Sequence, residues 1–115
     1  MGTHKLNVGP LPDDPLAAAA QFYAAVLPLI ASGGGQDLVL VFPPADYTHR
    51  AWRLAAVQEL ARTHAPLRVN AVASDDAAAL AAALEFLTSA GGVTGQYLPL
   101  AAARSDSQRA DEVIG

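Results

Sequence analysis

The sequence predicts an α/β domain: a four-stranded parallel sheet with strands in order 1-2-3-4 and three helices, in two or three layers. Three observations carry this. Strand-like and helix-like runs alternate along the chain, the pattern that builds parallel sheets through helical crossovers. Residues 37–42 read Asp-Leu-Val-Leu-Val-Phe, a continuous apolar run as in a strand covered on both faces. The chain has 115 residues, the length of one domain.

Taken in order, Lys5 to Gly9 is a short strand candidate, and Pro10, Pro12 and Asp13 make a loop. Pro15 suits the first turn of helix one, which runs to about Ala31. Ser32 and the glycines Gly33, Gly34 and Gly35 stop it. The second strand, Asp37 to Phe42, ends at Pro43 and Pro44. Asp46 is placed to cap helix two, from Tyr47 to His64, and Pro66 precedes a third strand, Leu67 to Ala73. Ser74 is expected to cap helix three, with Asp75 and Asp76 in its first turn, where carboxylates meet the positive end of the helix dipole. That helix ends near Gly91 and Gly92, and Gln96 to Leu100 is the fourth strand. Residues 1–100 form the domain, and 101–115 read as a polar, alanine-rich C-terminal tail, frayed or docked as a short helix.

Composition narrows the function classes. Hydrophobic residues make up 52% and charged residues 16%, below the usual quarter. With its alanine runs, such a chain is expected to have much of its surface covered. The net charge is -4 and no basic stripe is visible, so nucleic acid is not an expected partner. No cysteine is present, which removes disulfides, zinc-thiolate sites and thiol catalysis and fits a reducing compartment; a cytoplasmic location is expected. Residues 16–31 are apolar except Gln21, but the run is short of the roughly 20 residues of a membrane span and contains Pro28. It follows Asp13 and Asp14 rather than the basic start of a signal peptide. The expected state is a buried helix.

Coverage of the sheet is a problem. With order 1-2-3-4 and every crossover right-handed, the strong default, all three helices fall on one face. The other would be bare Val and Leu. One crossover must be unusual, or the tail or a second chain covers that face. Helix one is apolar nearly all round, and helix three carries only Glu85 as a charge between Ala77 and Leu87. Helices with water on one side are amphipathic, so both are expected to be buried on two sides.

Two motifs point to a family. Residues 67–73, Leu-Arg-Val-Asn-Ala-Val-Ala, resemble the sixth strand of short-chain dehydrogenases/reductases and follow a helix ending Glu59-Leu60-Ala61. Residues 84–100, with Thr94-Gly95-Gln96, resemble the stretch leading into that family's last strand. More weakly, Val26-Leu27-Pro28 and residues 33–41 resemble its fourth helix and fifth strand. The resemblance covers roughly residues 5–100 and implies a truncated Rossmann-like domain, the C-terminal half of the family fold. It also implies that helices one and two form a flat dimer surface, and that helix three lies on the opposite face of the sheet.

The family's chemistry is missing. Its dinucleotide sits on a glycine-rich turn at a helix N-terminus, and neither G-x-x-x-G-x-G nor G-x-G-x-x-G occurs here. Its Tyr and Lys lie four apart, but the only lysine is Lys5, and four residues beyond Tyr47 stands Ala51. Arg50, three residues on, does not substitute for that lysine. Pro43 and Pro44 stand where the family's Ser should follow, and Ser74-Asp75 replaces its Pro-Gly. No catalytic residue, cofactor or metal is therefore expected. Nor does the chain carry His-x-x-x-His, the lysine of a receiver domain, or G-x-S-x-G.

Two functional readings remain. In the first, the chain is a non-catalytic interaction or assembly domain. It homodimerises, or docks on a related protein, through Phe22, Tyr23, Val26, Leu27, Trp52 and Ala56. In the second, it binds a small ligand or acts as a minor enzyme. Ligands in open parallel sheets sit beyond the carboxyl ends of the strands, where Asp46, Tyr47, His49, Arg50, Ser74 and Asp75 are expected. His49 with Asp46 would then be an acid/base pair. The competing assignment makes Asp14, Asp46 and Ser74 helix caps and His49 a solvated helix residue. Arg50 and Arg53 either bind an anion or pair with Asp13, Asp46 or Asp75.

Overall fold

A computed structural model describes residues 2–31 and 35–100. Its four strands, β1 (Thr3–Asn7), β2 (Asp37–Phe42), β3 (Val69–Ala73) and β4 (Tyr97–Pro99), are all parallel and lie in the order 1-2-3-4. The register sets Leu6 beside Leu40, Leu40 beside Ala71 and Ala71 beside Tyr97. β1 starts two residues earlier than the sequence suggests because Thr3 pairs with Asp37, and Gly9, at φ 81°, has left the strand. β3 starts two residues later, at Val69. Residues 32–34 and the tail from 101 lie outside the described residues, so the predicted stop and tail are not placed.

Helix α1 occupies residues 15–31: α-helical Pro15–Gln21, a π-helical turn Phe22–Val26, and α-helical Leu27–Ala31. The Asp14 carboxylate accepts from Ala17 N at 2.9 Å, capping it as anticipated. Its buried residues are Ala18, Phe22, Val26 and Ile30, four apart each time. An ideal helix turns about 100° per residue, so each step of four overshoots by about 40°. The wider turn, in which Leu27 N–H donates to the Phe22 carbonyl, under-winds the helix and keeps that stripe on one face. Helix α2 (Arg50–His64) is entered through a 3₁₀ turn, Tyr47–His49, and buries Arg53, Ala56, Val57 and Leu60. Helix α3 (Ala77–Ser89) is capped by Asp76, whose carboxylate accepts from Ala79 N at 2.8 Å. Ser74 is therefore not the cap: its Oγ accepts from Asp76 N at 2.9 Å and shapes the turn before the helix.

Side chains alternate across the sheet. Leu38, Leu40, Phe42, Val69, Ala71, Ala73 and Tyr97 face one way and pack with α1 and α2. Val39, Val41, Val72 and Leu98 face the other way and pack with Leu80, Ala83, Leu84 and Leu87 of α3. The domain thus has three layers, and helix three covers the opposite face. In a sheet ordered 1-2-3-4, its crossover then has the opposite hand to the first two. The bare face is resolved by one unusual connection. Where α3 does not reach, β1 shows alternation of its own: Leu6 packs on the α1/α2 side, while Lys5 and Asn7 on the other side are exposed. A lysine on an edge strand also discourages further strand pairing.

Candidate functional site

The six residues expected to form a ligand site lie at the carboxyl ends of the strands. Asp46 accepts from Thr48 N at 3.0 Å and from Thr48 Oγ1. These bonds hold its carboxyl below the usual carboxylate range. Tyr47 is 86% exposed. Arg50 and Asp75 are exposed, and Ser74 bonds forward to Asp76. Among the six, the His49 N–H donates to the Asp46 carbonyl at 3.2 Å and the Arg50 N–H to the Tyr47 carbonyl, as a 3₁₀ turn requires, but no side chain of one bonds the side chain of another.

His49 is buried rather than solvated. Trp52 Nε1–H donates to its Nδ1 at 3.1 Å, so the proton of the neutral ring sits on Nε2, which donates to the Asp13 carbonyl at 2.9 Å. Both ring nitrogens are occupied, and the expected acid/base pair with Asp46 does not form. The imidazole instead straps the loop after β1 onto the start of α2, helped by Gln21 Nε2 donating to the Pro10 carbonyl at 3.2 Å.

Beneath this strap the space is filled. Phe22 stacks on Phe42 at 5.6 Å between centroids, Trp52 meets both, and Tyr97 meets the Phe42 edge at 6.0 Å. Arg53 lies inside this cluster, 1% exposed. Its guanidinium carbon stands 4.5 Å from the Phe42 ring centre, a cation–π contact. Its Nη1 donates to the Pro43 carbonyl at 2.9 Å and to the Tyr97 hydroxyl at 3.1 Å. Its Nε is buried with no hydrogen-bond partner among the described residues. None of Asp13, Asp46 or Asp75 pairs with it, which corrects that expectation. Tyr97→Phe removes one neutral acceptor while Pro43 keeps the same nitrogen bonded. It is expected to cost about 1 kcal/mol by urea unfolding.

The expected interface residues divide. Phe22, Val26 and Ala56 face the sheet and are buried in the chain's own core, so they present nothing to a partner. Leu27 and Trp52 are half-buried against that core. Tyr23 is 44% exposed, and Leu16, not singled out from the sequence, is 83% exposed.

The sequence motifs themselves are structural. Arg68 pairs with Asp37, its Nε donating to Oδ2 at 2.9 Å and its backbone N–H to Oδ1 at 2.8 Å. Its Nη1 reaches the carbonyls of Leu87 at 2.8 Å and Ala90 at 2.6 Å, at the open C-terminal end of α3. Buried Asn70 donates to the Val93 carbonyl and accepts from Gln96 N, both at 3.0 Å. Thr94 Oγ1 accepts from Val69 N at 3.0 Å. Gly95, at φ 76°, donates from its N–H to the Val69 carbonyl at 2.7 Å. Each motif thus binds the other, and together they fasten the entry of β4 to β3.

Among the described residues no group of three or more His, Asp or Glu is placed to hold a metal, and no helix is long and apolar enough to cross a membrane. A cavity of about 370 Å³ does exist, but at the amino ends of the strands, between α1 and α2.

A three-layer parallel α/β sheet with opposite-handed last crossover and interlocked motifs defines a Rossmann-like fold of dehydrogenase type. A family model described as "SDR-like: Short chain dehydrogenase-like protein" matches residues 6–100, and the chain belongs to that family. No curated protein matches it, and no solved structure does.

Proposed function

We propose that this chain is a non-catalytic interaction domain, derived from the short-chain dehydrogenase fold, that assembles as a homodimer through the outer face of α1. The observation that carries this reading is the state of that helix. Its inner stripe is fully used by the sheet, yet its outward residues are Leu16, Ala17, Ala20, Tyr23, Ala24, Ala25 and Pro28, with Gln21 the one polar side chain exposed among them. Exposed apolar area favours association by about 25 cal/mol per Å² before the costs of binding.

Leu16, Ala20 and Tyr23 lie four and seven residues apart and share one side of the helix. Small alanines beside them let a second helix approach closely. Such a stripe can meet its own copy about a two-fold axis, the commonest arrangement of oligomers. The outward face of α2 is more polar, with Arg50, Gln58, Glu59 and Arg62 exposed. It is assigned the rim rather than the centre.

Light scattering on the purified chain is expected to give twice the 11.8 kDa chain mass at micromolar concentration. Tyr23→Glu with Leu16→Glu is expected to give the single-chain mass with the same circular dichroism. A wild-type protein that stays at 11.8 kDa contradicts the proposal. The non-catalytic half is tested by NAD and NADP: no rise in melting temperature is expected at millimolar cofactor. A saturable rise would contradict it.

A further inference from the structure

From the cavity at the amino ends of the strands, we infer a binding site for a small aliphatic carboxylate, independent of the association through α1. Its volume, about 370 Å³, lies in the range of small-molecule sites, roughly 300–1,000 Å³. Three strands, two helices and two loops line it. Leu6 of β1, Leu38 of β2, Val69 of β3, Leu29 and Ile30 of α1, and Leu67 form an aliphatic wall without an aromatic ring. That suits a flexible hydrocarbon chain rather than a flat ring.

The polar part of the lining is His4, His64 and Gln36. His4 stands on the exposed edge strand and His64 at the end of α2, half-buried. Among the described residues no carboxylate lines the cavity. Two imidazoles and a carboxamide supply donors, and protonation of either ring adds positive charge. An acceptor head group, above all an anion, therefore matches the mouth, while the chain removes apolar surface from water inside. Gly35, also in the lining, has φ 75°, a conformation that glycine adopts without strain.

The test uses the full chain and octanoate as probe. The protein has three histidines, and His49 lies at the far end of the sheet with both nitrogens bonded, so it serves as an internal control. In proton NMR, the His4 and His64 ring signals are expected to shift saturably with octanoate while His49 stays in place. His4→Gln with His64→Gln, a change at the mouth, is expected to weaken octanoate about tenfold and leave 1-octanol nearly unchanged; a tenfold loss is about 1.4 kcal/mol. Leu67→Trp is expected to fill the cavity and abolish binding of both. The inference is overturned if no saturable shift occurs at low millimolar octanoate, if octanol binds as tightly as octanoate, or if His49 responds instead. Should Leu67→Trp fail to fold, the mouth double variant decides alone.

Discussion

Arg68→Met is expected to destabilise the chain by about 3 kcal/mol, seen in urea unfolding and as a fall in Tm of more than about 10 °C. From its place just before β3, the guanidinium joins Asp37 at the start of β2 to the carbonyls of Leu87 and Ala90 at the C-terminal end of α3. Methionine keeps most of the apolar stem and the backbone bond to Asp37, and Val93 N–H still reaches the Ala90 carbonyl at 3.0 Å, but the half-buried carboxylate loses its charged partner and the Leu87 carbonyl its donor. Unpaired groups of this kind cost about 1–3 kcal/mol each, more when charged. Total stability for a domain is only about 5–15 kcal/mol, so the loss is a large share of it. Asp37→Asn tests the same pair through pH. The bond from the Arg68 backbone N–H, opposed by burial and aided by the guanidinium, holds the Asp37 carboxyl below its ordinary 3.8. A depressed acid adds stability that is fully present above its unfolded value and is lost as pH falls through the folded one. The difference between wild type and Asp37→Asn is therefore expected to be constant near neutrality and to vanish below pH 3.8. A constant difference down to pH 2 would show that the pair is not the cause.

Phe42→Ala is expected to cost about 3–5 kcal/mol, the range for emptying a packed aromatic site. Phe42 is fully buried, and its ring is shared by Phe22, Trp52, Tyr97 and the Arg53 guanidinium. Removing it opens a void and also takes away the face that holds a buried charge with no carboxylate partner among the described residues. Burying a cation with less compensation adds to the cost. The near-UV circular dichroism of the single tryptophan, Trp52, reports the loss of packing, and Phe42→Leu is expected to lose much less. A cost under about 1 kcal/mol would mean that the cluster is not the keystone of the carboxyl end.

Much of this architecture was legible. The run Asp37–Phe42 marked its strand to the residue, because the apolar stretch opens directly after Asp37 and is closed by Pro43 and Pro44, which lack the N–H that would continue the ladder. The face of helix three was not legible from handedness alone, since the default connection is the one this fold breaks. The family resemblance supplied it. At the candidate site, Asp14 and Asp46 were readable as caps because capping is local in sequence. What escaped was which side chains turn inward. Arginine is ordinarily exposed, so Arg53 was assigned to surface pairs. Yet His49, Arg53, Ala56, Val57 and Leu60 follow the three- and four-residue steps of a buried helical stripe. Read as a stripe, that spacing places Arg53 in the core. Three of the expected interface residues turn inward: Ala56 belongs to that stripe of α2, while the facing of Phe22 and Val26 depends on the π-helical turn, which no local signal announces.

The claim that α1 is the surface of self-association is tested most directly by a mixed-label experiment. A nitroxide is placed on Gln58→Cys, at the exposed rim on α2 and the sole thiol in an otherwise cysteine-free chain, and the labelled protein is mixed with ¹⁵N-labelled wild type. Broadening of the amide signals of residues 15–31 in the labelled copy, and of few others, is the predicted result. Amide signals left sharp throughout, or broadened instead around α3 and β4, would contradict it.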